Sequence, residues 1–157
     1  MLREIPLTRG MTALVDDGDF EMLSGFKWHA TSTGYAARSV WAGGRKVPCY
    51  MHRMILLPDP GQEVDHINRD PLDNRRSNLR TATSAENRRN TGPWSTNTSG
   101  YKGVYWFRRD HNWTAHITKN YHAQHLGYFD NARDAALAYD AAARDLFGEF
   151  AWVNFPC

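Results

Sequence analysis

Four polar side chains between residues 65 and 87 could together hydrolyse a phosphodiester bond. Asp65 supplies a carboxylate, the kind of oxygen donor with which Mg²⁺ combines while keeping several of its waters. His66 supplies an imidazole that can take a proton from water near neutral pH. Asn78 could orient that imidazole by accepting from its second ring N–H, or could instead pin the surrounding loop, and Asn87 could add a neutral oxygen to the metal. No Ser or Cys nucleophile is needed if water attacks the phosphorus.

The spacing of these residues carries a family resemblance. An Asp-His pair, an Asn-Leu pair beginning twelve residues after His66 and Asn87 nine residues further on resemble the HNH nuclease motif. More narrowly, they resemble the branch found in phage and intron-encoded homing endonucleases, to which Met51–Leu56 and the opening residues 5–17 are also similar. The motif ends in Asn87 where the name would suggest His, and this variant occurs in the homing branch.

The resemblance implies a fold and a mechanism. In this family the motif forms two strands and a helix around one metal ion, so we expect a ββα-metal core at about residues 62–90. Asp65 and Asn87 would hold Mg²⁺, with Mn²⁺ as the alternative, and His66 would be the general base. Asn78 would be the fourth catalytic residue. The substrate would be double-stranded DNA cut at a specific site by a monomer.

Charge along the chain is uneven although the net charge is only +2. Residues 69–90 carry six arginines against three acidic residues, a local excess of +3: Arg69, Arg75, Arg76, Arg80, Arg88 and Arg89 against Asp70, Asp73 and Glu86. Such a run is either a solvated basic face or a surface for phosphates, and the adjacent metal motif favours phosphates. Arg53, Arg80 and Arg88 are the candidates for gripping the DNA backbone.

Several classes of protein are excluded by composition. Cys49 and Cys157 are far apart and cannot supply a Cys-rich zinc site or a disulfide framework, so both are expected to be free thiols in a reducing compartment. No apolar run approaches the roughly 20 residues that span a bilayer, and residues 1–4 do not open a signal peptide. We therefore expect a cytoplasmic protein, in the host cytoplasm if phage-encoded, with no membrane partner and no organic cofactor.

The last third of the chain has the pattern of a separate small domain. Residues 91–99 have the composition of a linker, so the expected organisation is a nuclease domain at 1–90 and a second domain at 100–157. Strands are predicted at Val104–Arg108, Trp113–Thr118 and His122–Phe129. A helix is predicted over about Ala132–Phe147, capped by Asp130 or Asn131 and ended by Gly148. The overall fold class is α+β, with a three-stranded antiparallel sheet packed on one helix at the C-terminal end.

Separated blocks in this third resemble one family in the same order. They are Tyr101–Val104, Trp113, Leu126–Phe129, Ala135–Asp140 and Val153–Pro156. These blocks resemble the Apetala/ethylene-response-factor DNA-binding domain, in which a three-stranded sheet enters the major groove with a helix behind it. The candidate DNA contacts that this resemblance implies are Lys102, Tyr105, Phe107, Arg108, His116, Thr118, Ala123 and His125, with Arg109 and Lys119 supplying nearby charge. Because several positions that are Arg, Glu or Trp in plant members differ here, the plant target sequence does not carry over.

Three functions compete at this point. The first is a site-specific endonuclease of the homing type, and the second is a DNA-binding protein whose nuclease centre is inactive. The third is a non-specific HNH nuclease, which the C-terminal domain disfavours because an indiscriminate nuclease needs no reader. Two residues keep open interpretations: His52 is a core histidine or a neighbour of the catalytic residues, and Trp94 is a docking contact or a base-stacking residue.

Overall fold

The computed structural model describes residues 1–156 and shows a chain that divides into two compact units, Met1–Asn87 and the remainder from Arg88 onwards. Cys49 is a free cysteine, whereas the expectation for Cys157 falls outside the described residues. Small antiparallel sheets combine with helices in both units, so the predicted mixed α+β class is confirmed. Within residues 1–156 no helix has the length and apolarity that crossing a membrane requires.

The first part of the N-terminal unit contains two small antiparallel sheets and two helices. In chain order the elements are β1 (Leu2–Pro6), β2 (Thr12–Asp16), α1 (Asp17–Ser24), β3 (His29–Ala30), β4 (Ala36–Ala42), β5 (Arg45–Tyr50) and α2 (Met51–Leu56). Strands β1 and β2 form one sheet, and β3, β4 and β5 form the other with β4 in the middle. The helix α1 ends at Gly25, as the sequence predicts.

A hairpin and a short helix follow, and they carry the motif residues. They are β6 (Glu63–His66), β7 (Leu79–Ala82) and α3 (Ser84–Arg89). The two strands are antiparallel, with Asp65 opposite Arg80 and His66 opposite Leu79. This register places the Asp-His pair at the end of β6 where the long polar loop begins.

Helix α3 begins with a cap that differs from the predicted one. Ser84 is the cap that the sequence predicts for this helix, but the Oγ1 of Thr83 accepts from the backbone N–H of Glu86 at 3.3 Å. The Glu86 carboxylate in turn accepts from the backbone N–H of Thr83 at 2.8 Å. This reciprocal pair is a capping box, in which a Thr and a Glu three residues later satisfy two otherwise unpaired helix N–H groups. Thr83 therefore fixes the start of the helix that carries Asn87.

One hydrophobic core joins these elements of the N-terminal unit. Its buried members come from every strand pair and from helices α1 and α2: Ile5, Leu7, Ala13, Val15, Leu23, Trp28, Ala30, Ala36, Met51, Ile55, Val64 and Leu79. Val64 and Leu79 bring β6 and β7 into this core, so the motif hairpin is anchored by apolar burial on one of its sides. The Asp-His pair consequently lies on a hairpin that is packed against the core.

The C-terminal unit is a three-stranded antiparallel sheet with one helix packed on it. Its elements are β8 (Val104–Phe107), β9 (Asn112–Lys119), β10 (His122–Phe129) and α4 (Ala132–Phe147), with β9 in the centre of the sheet. The Oδ1 of Asn131 caps α4 by accepting from the backbone N–H of Asp134 at 2.9 Å. Gly148 follows the helix with φ of 54°. Both ends of α4 thus lie where the sequence predicts them.

The buried face of α4 is rotated from the predicted one. The sequence predicts a shared face of Ala135, Ala138, Tyr139, Ala142 and Leu146, whereas the buried residues are Ala135, Ala136, Tyr139, Asp140 and Ala143. The rotation brings a carboxylate inside. Asp140 is fully buried and accepts from the backbone N–H groups of Asn154 and Phe155 at 2.7 and 2.8 Å, which ties the C-terminal segment to the helix.

Gly103 is required where the chain enters β8, and this gives a stability prediction. A Cβ at Gly103 would overlap the ring of Tyr139 and lie 2.7 Å from the carbonyl oxygen of His116, and φ there is +77°. We expect Gly103→Ala to destabilise the C-terminal unit by about 2–4 kcal/mol through strain and overlap together. Gly100→Ala is the matched control, because Gly100 has the same φ but open space around its Cβ position.

Urea unfolding of both variants measures the difference between them. Since Gly100→Ala incurs only the conformational cost, it should lose about 1–2 kcal/mol. Equal losses at the two positions would mean that the contact between Gly103 and Tyr139 contributes nothing.

Candidate active site

The carboxylate of Asp65 is buried and paired with an arginine from the neighbouring strand. Asp65 is 5% exposed, and its Oδ2 accepts from the Nε and a terminal nitrogen of Arg80 at 2.8 and 2.6 Å. A buried carboxylate is costly unless a positive charge and hydrogen bonds compensate it, and Arg80 supplies both. Arg80 therefore compensates the burial of the Asp65 carboxylate, the group through which a metal ion would be bound.

His66 is equally buried and remains neutral. Burial lowers the pKa of His66, against the opposing effects of the neighbouring Asn74 side chain and of the charges on Asp65, Asp70 and Asp73. The imidazole is therefore unprotonated at neutral pH, as a general base must be. Asp65 and His66 are consecutive in β6 and leave the strand on opposite sides, so a shared substrate atom would have to lie beyond the strand's end.

Asn78 holds the loop between β6 and β7. Its Oδ1 accepts from the backbone N–H of Asn68 at 2.9 Å, and its Nδ2 donates to the Asn68 side chain and to the carbonyl oxygen of Asp73. Of the two roles that the sequence leaves open for Asn78, these bonds correspond to pinning the loop. The amide side chain that acts on the pKa of His66 is that of Asn74, which the motif spacing does not single out.

One salt bridge ties the same loop to helix α1, and a second lies within the loop. Arg76 donates to both carboxylate oxygens of Asp19 at 2.8 and 2.7 Å, and its backbone N–H donates to Asp16. Arg75 donates to both oxygens of Asp73 at 2.7 and 2.6 Å. Two arginines of the basic run are thus committed to the fold.

A second histidine lies against His66. The His52 ring is 5.2 Å from the His66 ring in an edge-on contact, and Tyr35 lies 5.7 Å from His66. Tyr50 stacks on His52 at 5.4 Å. Burial, together with the nearby His66 and Arg53, lowers the pKa of His52 to about 3. Of the two interpretations of His52, the structure therefore supports a neighbour of the motif histidine.

The depressed pKa of His52 makes stability depend on pH. The pKa of His52 is 6.5 in the unfolded chain and about 3 in the folded chain. As pH falls from 6.5, the unfolded state takes up a proton first, so stability is greatest above pH 6.5 and declines until about pH 3. The titratable groups that face the His52 ring are His66, Arg53, Tyr35 and Tyr50. Of these, His66 also has a lowered pKa, so it adds to the same pH dependence.

We expect His52 alone to remove about 2 kcal/mol of unfolding free energy between pH 8 and pH 5. Urea unfolding at the two pH values checks this figure. The variant His52→Gln should show a shallower dependence on pH, whatever its stability at pH 8. An unchanged slope in that variant would mean that His52 does not carry the effect.

Asn87 is held against β6 by a carboxylate. Its Nδ2 donates to Glu63 Oε2 at 2.5 Å, and Glu63 is two residues before Asp65 on the same side of the strand. The amide oxygen of Asn87 is thereby turned away from Glu63. An Asp carboxylate and an amide oxygen are the donors that a hard divalent cation takes.

The donor set is compatible with a magnesium-like ion. No group of three or more His, Cys, Asp or Glu residues within residues 1–156 could hold a metal. An ion at Asp65 and Asn87 would therefore depend on phosphate and water oxygens for its remaining ligands. Mg²⁺ binds in this manner, with one or two carboxylates, substrate phosphate and several waters. The residues present thus fit the expected ion.

The three arginines predicted to grip DNA lie in different environments. Arg53 is exposed on α2 and donates to the carbonyl oxygen of Gln62 at 3.2 Å. The side chain of Arg80 is only 11% exposed and is engaged with Asp65. Arg88 is exposed at the end of α3. Arg53 and Arg88 can therefore reach a ligand directly, whereas Arg80 could do so only by leaving Asp65.

In the C-terminal unit, one face of the sheet collects most of the predicted DNA contacts. Val104, Ala115 and Ile117 face α4, so the alternate residues of each strand point away from the helix. Ring contacts join that outer face: Tyr105 to His116 at 6.1 Å, His116 to His125 at 4.9 Å and Phe107 to Tyr128 at 5.6 Å. Thr118, opposite Ala123, lies on it too. Tyr128 is a member that sequence analysis missed, although its strand position was available.

Two predicted cations of this unit differ in availability. The Nζ of Lys102 donates to the carbonyl oxygens of Arg89 and Thr91 at 2.8 and 2.5 Å, so its charge stabilises the linker segment. Arg108 is exposed after the end of β8. Trp94, whose role the sequence leaves open, is 86% exposed.

Comparison with known proteins identifies the N-terminal arrangement. A sequence model of HNH endonucleases matches residues 49–89, which include α2, β6, β7 and α3. An uncharacterized HNH endonuclease of Acanthamoeba polyphaga mimivirus is 29% identical over 148 residues, covering 93% of this chain and 76% of that protein. Protein 3.8 of Escherichia phage T7 is 33% identical over 91 residues, covering 58% of this chain and 74% of that protein. The chain belongs to the HNH endonuclease family.

This HNH endonuclease has a second relationship in its C-terminal region. APETALA2-like protein 2 of Oryza sativa subsp. indica is 44% identical over 64 residues, which are 41% of this chain and 14% of the plant protein. Dehydration-responsive element-binding protein 2D of Arabidopsis thaliana is 47% identical over 58 residues, or 36% of this chain and 28% of that protein. The chain therefore combines an HNH endonuclease domain with an APETALA2-like C-terminal region. HNH nucleases generally depend on a divalent metal ion.

Proposed function

We propose that this HNH endonuclease is a site-specific enzyme of the homing type that hydrolyses phosphodiester bonds in double-stranded DNA. Residues 1–90 would cut, with β6, β7 and α3 as a ββα-metal core at about 62–90. Residues 91–99 would link them to a DNA reader at 100–157. The observation that carries the proposal is the placement of Asp65 and the neutral His66 as consecutive residues at the end of β6, where the polar loop begins.

His66 would act as the general base. Its neutral imidazole can remove a proton from the attacking water, and the proton resides on the ring until product leaves. The edge-on contact with His52 restricts the orientation of the ring, and the Asn74 side chain lies beside it. The loop that carries Asn74 is held by Asn78, so Asn78 would support catalysis indirectly, by fixing this loop beside His66.

Asp65 and Asn87 would hold a single Mg²⁺, with Mn²⁺ as the alternative. When bound, such an ion supplies positive charge for the leaving oxygen and for the crowded phosphate. Arg80 would turn its guanidinium group from Asp65 towards the phosphate. Arg53 and Arg88 would contact the DNA backbone on either side of the cleaved bond. A single site per chain favours a nick by a monomer.

The outer face of the C-terminal sheet would locate the site. It presents Tyr105, Phe107, His116, Thr118 and His125, whose donors and rings can meet base edges and sugar–phosphate atoms. With Lys102 engaged by the linker, Arg108 is the cation of this region best placed for phosphate. Few phosphate contacts predict a shallow dependence of the reader's affinity on salt.

Cleavage of a fragmented genomic DNA library by the full chain, followed by sequencing of the product ends, tests this function. With Mg²⁺ we expect ends that share one sequence context, and with EDTA we expect none. Mg²⁺-dependent ends without a common context would identify a non-specific nuclease. No cleavage under either condition, combined with retained sequence-specific binding to library fragments, would identify a DNA-binding protein with an inactive centre.

A further inference from the structure

Glu63 is not one of the four motif residues Asp65, His66, Asn78 and Asn87, yet it contacts one of them. Its carboxylate accepts a hydrogen bond from the Nδ2 of Asn87 at 2.5 Å. Glu63 is the first residue of β6, opposite Ala82, and is partly buried. The contact therefore joins the start of the strand that carries Asp65 to the helix that carries Asn87.

The chemistry of this contact determines which way the Asn87 amide points. An amide has a donor end and an acceptor end, whereas an ionised carboxylate only accepts. Glu63 can therefore bind only the NH₂ end, which leaves the carbonyl oxygen directed elsewhere. Without this partner, the amide could rotate by about 180° and present N–H groups, which a cation repels. Hydrogen bonds to a charged acceptor are about twice as strong as neutral ones, so the preference is a firm one.

The placement of Glu63 also relates it to the Asp65 side of the strand. Residues two apart in a strand point to the same side, so Glu63 and Asp65 share one side of β6. Burial raises the pKa of Tyr35 most, and the charges of Asp65 and Glu63 raise it further. Both carboxylates therefore lie near the same tyrosine. The oxygen of Asn87 is thereby held beside the strand on which the Asp65 carboxylate stands.

We propose that Glu63 is a positioning residue for the metal site: it fixes the Asn87 amide so that its oxygen, and not its nitrogen, faces the divalent cation. The inference rests on the proposed function, in which Asn87 is a metal ligand. Glu63 acts through Asn87 and does not itself contact the ion. A merely structural role, in which Glu63 ties α3 to β6, is the alternative that the experiment must separate.

Titration of the full chain with Mn²⁺, followed by electron paramagnetic resonance of the free ion, measures metal affinity without requiring cleavage. Glu63→Leu keeps side-chain bulk but removes the acceptor, so we expect Mn²⁺ affinity to fall by about 10-fold to 100-fold. Glu63→Gln retains an acceptor oxygen for Asn87 but gains an NH₂ group that can bind the other end of the Asn87 amide. Its Mn²⁺ affinity should therefore fall less than that of Glu63→Leu, by less than about 10-fold. Glu21→Ala, an exposed acidic residue on α1, controls for the loss of one negative charge.

A double-mutant cycle with Asn87→Ala separates failure of the inference from failure of the proposed function. If Glu63 acts through Asn87, the double variant Glu63→Leu/Asn87→Ala should bind Mn²⁺ no more weakly than Asn87→Ala alone. Weakened binding in Asn87→Ala but wild-type binding in Glu63→Leu would overturn the positioning role only. Wild-type binding in Asn87→Ala would remove Asn87 from the metal and overturn the proposed ligand set. An equal loss in Glu63→Gln and Glu63→Leu would assign the effect to charge and also overturn the inference.

Thermal unfolding of each variant without metal accompanies the titration. The positioning role predicts that Glu63→Gln and Asn87→Ala melt within a few degrees of wild type while Asn87→Ala loses more Mn²⁺ affinity than Glu63→Gln. Should Glu63→Leu not fold, Glu63→Ala replaces it in the cycle. If every acceptor-removing variant is unfolded while Glu63→Gln is folded, Glu63 is a structural tie and the positioning role is refuted.

Discussion

His66→Ala is expected to lower the rate of DNA cleavage by about 10²–10⁴-fold, the usual contribution of a general acid–base group. Because His66 is 5% exposed and surrounded by His52, Tyr35 and Asn74, its direct contribution to DNA affinity should be small. Dissociation constants for the cleaved site should therefore stay within about threefold of wild type. Single-turnover cleavage and filter binding on the same duplex measure the two quantities.

A matched control separates chemistry from packing in this variant. His29→Ala removes another partly buried histidine of the same unit, in β3, which the proposed mechanism does not use, and it should cleave at the wild-type rate. Because His66 is part of a ring cluster, the melting temperature of His66→Ala must be shown to exceed the assay temperature. Wild-type cleavage by the folded His66→Ala variant would remove this residue from the mechanism.

Ending the chain after Thr91 is expected to reduce affinity for the specific site by about 10³-fold or more, towards the level of non-specific binding. The N-terminal unit has its own core, so its fold should survive the deletion. Residual nicking should become independent of sequence because the cutting residues remain while the reader is absent. Gel-shift titrations with specific and scrambled duplexes, at one salt concentration, give the ratio of the two dissociation constants.

Substitutions in the full chain test the same claim without deletion. Tyr105→Ala and His125→Ala lie on the outer face of the sheet, whereas Leu137→Ala lies exposed on α4, on the other side of that unit. The first two should lower specific affinity, while the third should leave it unchanged. A truncated chain that still discriminated the two duplexes would place sequence recognition within the nuclease unit.

Local patterns were sufficient to predict the elements of the C-terminal unit. The third strand and the helix begin and end at the predicted residues, because alternation, an Asn cap and a terminal Gly act within a few residues of one another. The rotation of the buried face of α4 was not predictable from periodicity alone. Asp140 is buried because it accepts from residues 154 and 155, and this contact is set by the tertiary fold.

At the candidate site, motif spacing identified Asp65 and His66 but not the residues that surround them. Asn74 is one Asn among several in a polar loop, and nothing in its local sequence distinguishes it from Asn68. Glu63 meets Asn87 across 24 positions. Charge counting overestimated the free positive surface, because Arg75, Arg76 and Arg80 each pair with a carboxylate, and such pairing depends on the folded chain.

A crystal structure of the full chain bound to its cleaved DNA site with Mn²⁺, phased to show anomalous scattering from the metal, tests the central claim most directly. The account predicts one manganese peak, coordinated by an oxygen of Asp65, the amide oxygen of Asn87 and a phosphate oxygen. The His66 ring should lie on the opposite side of that phosphate, within hydrogen-bonding reach of a water. A manganese ion held by other residues, or a phosphate that cannot be reached by both Asp65 and His66, would contradict it.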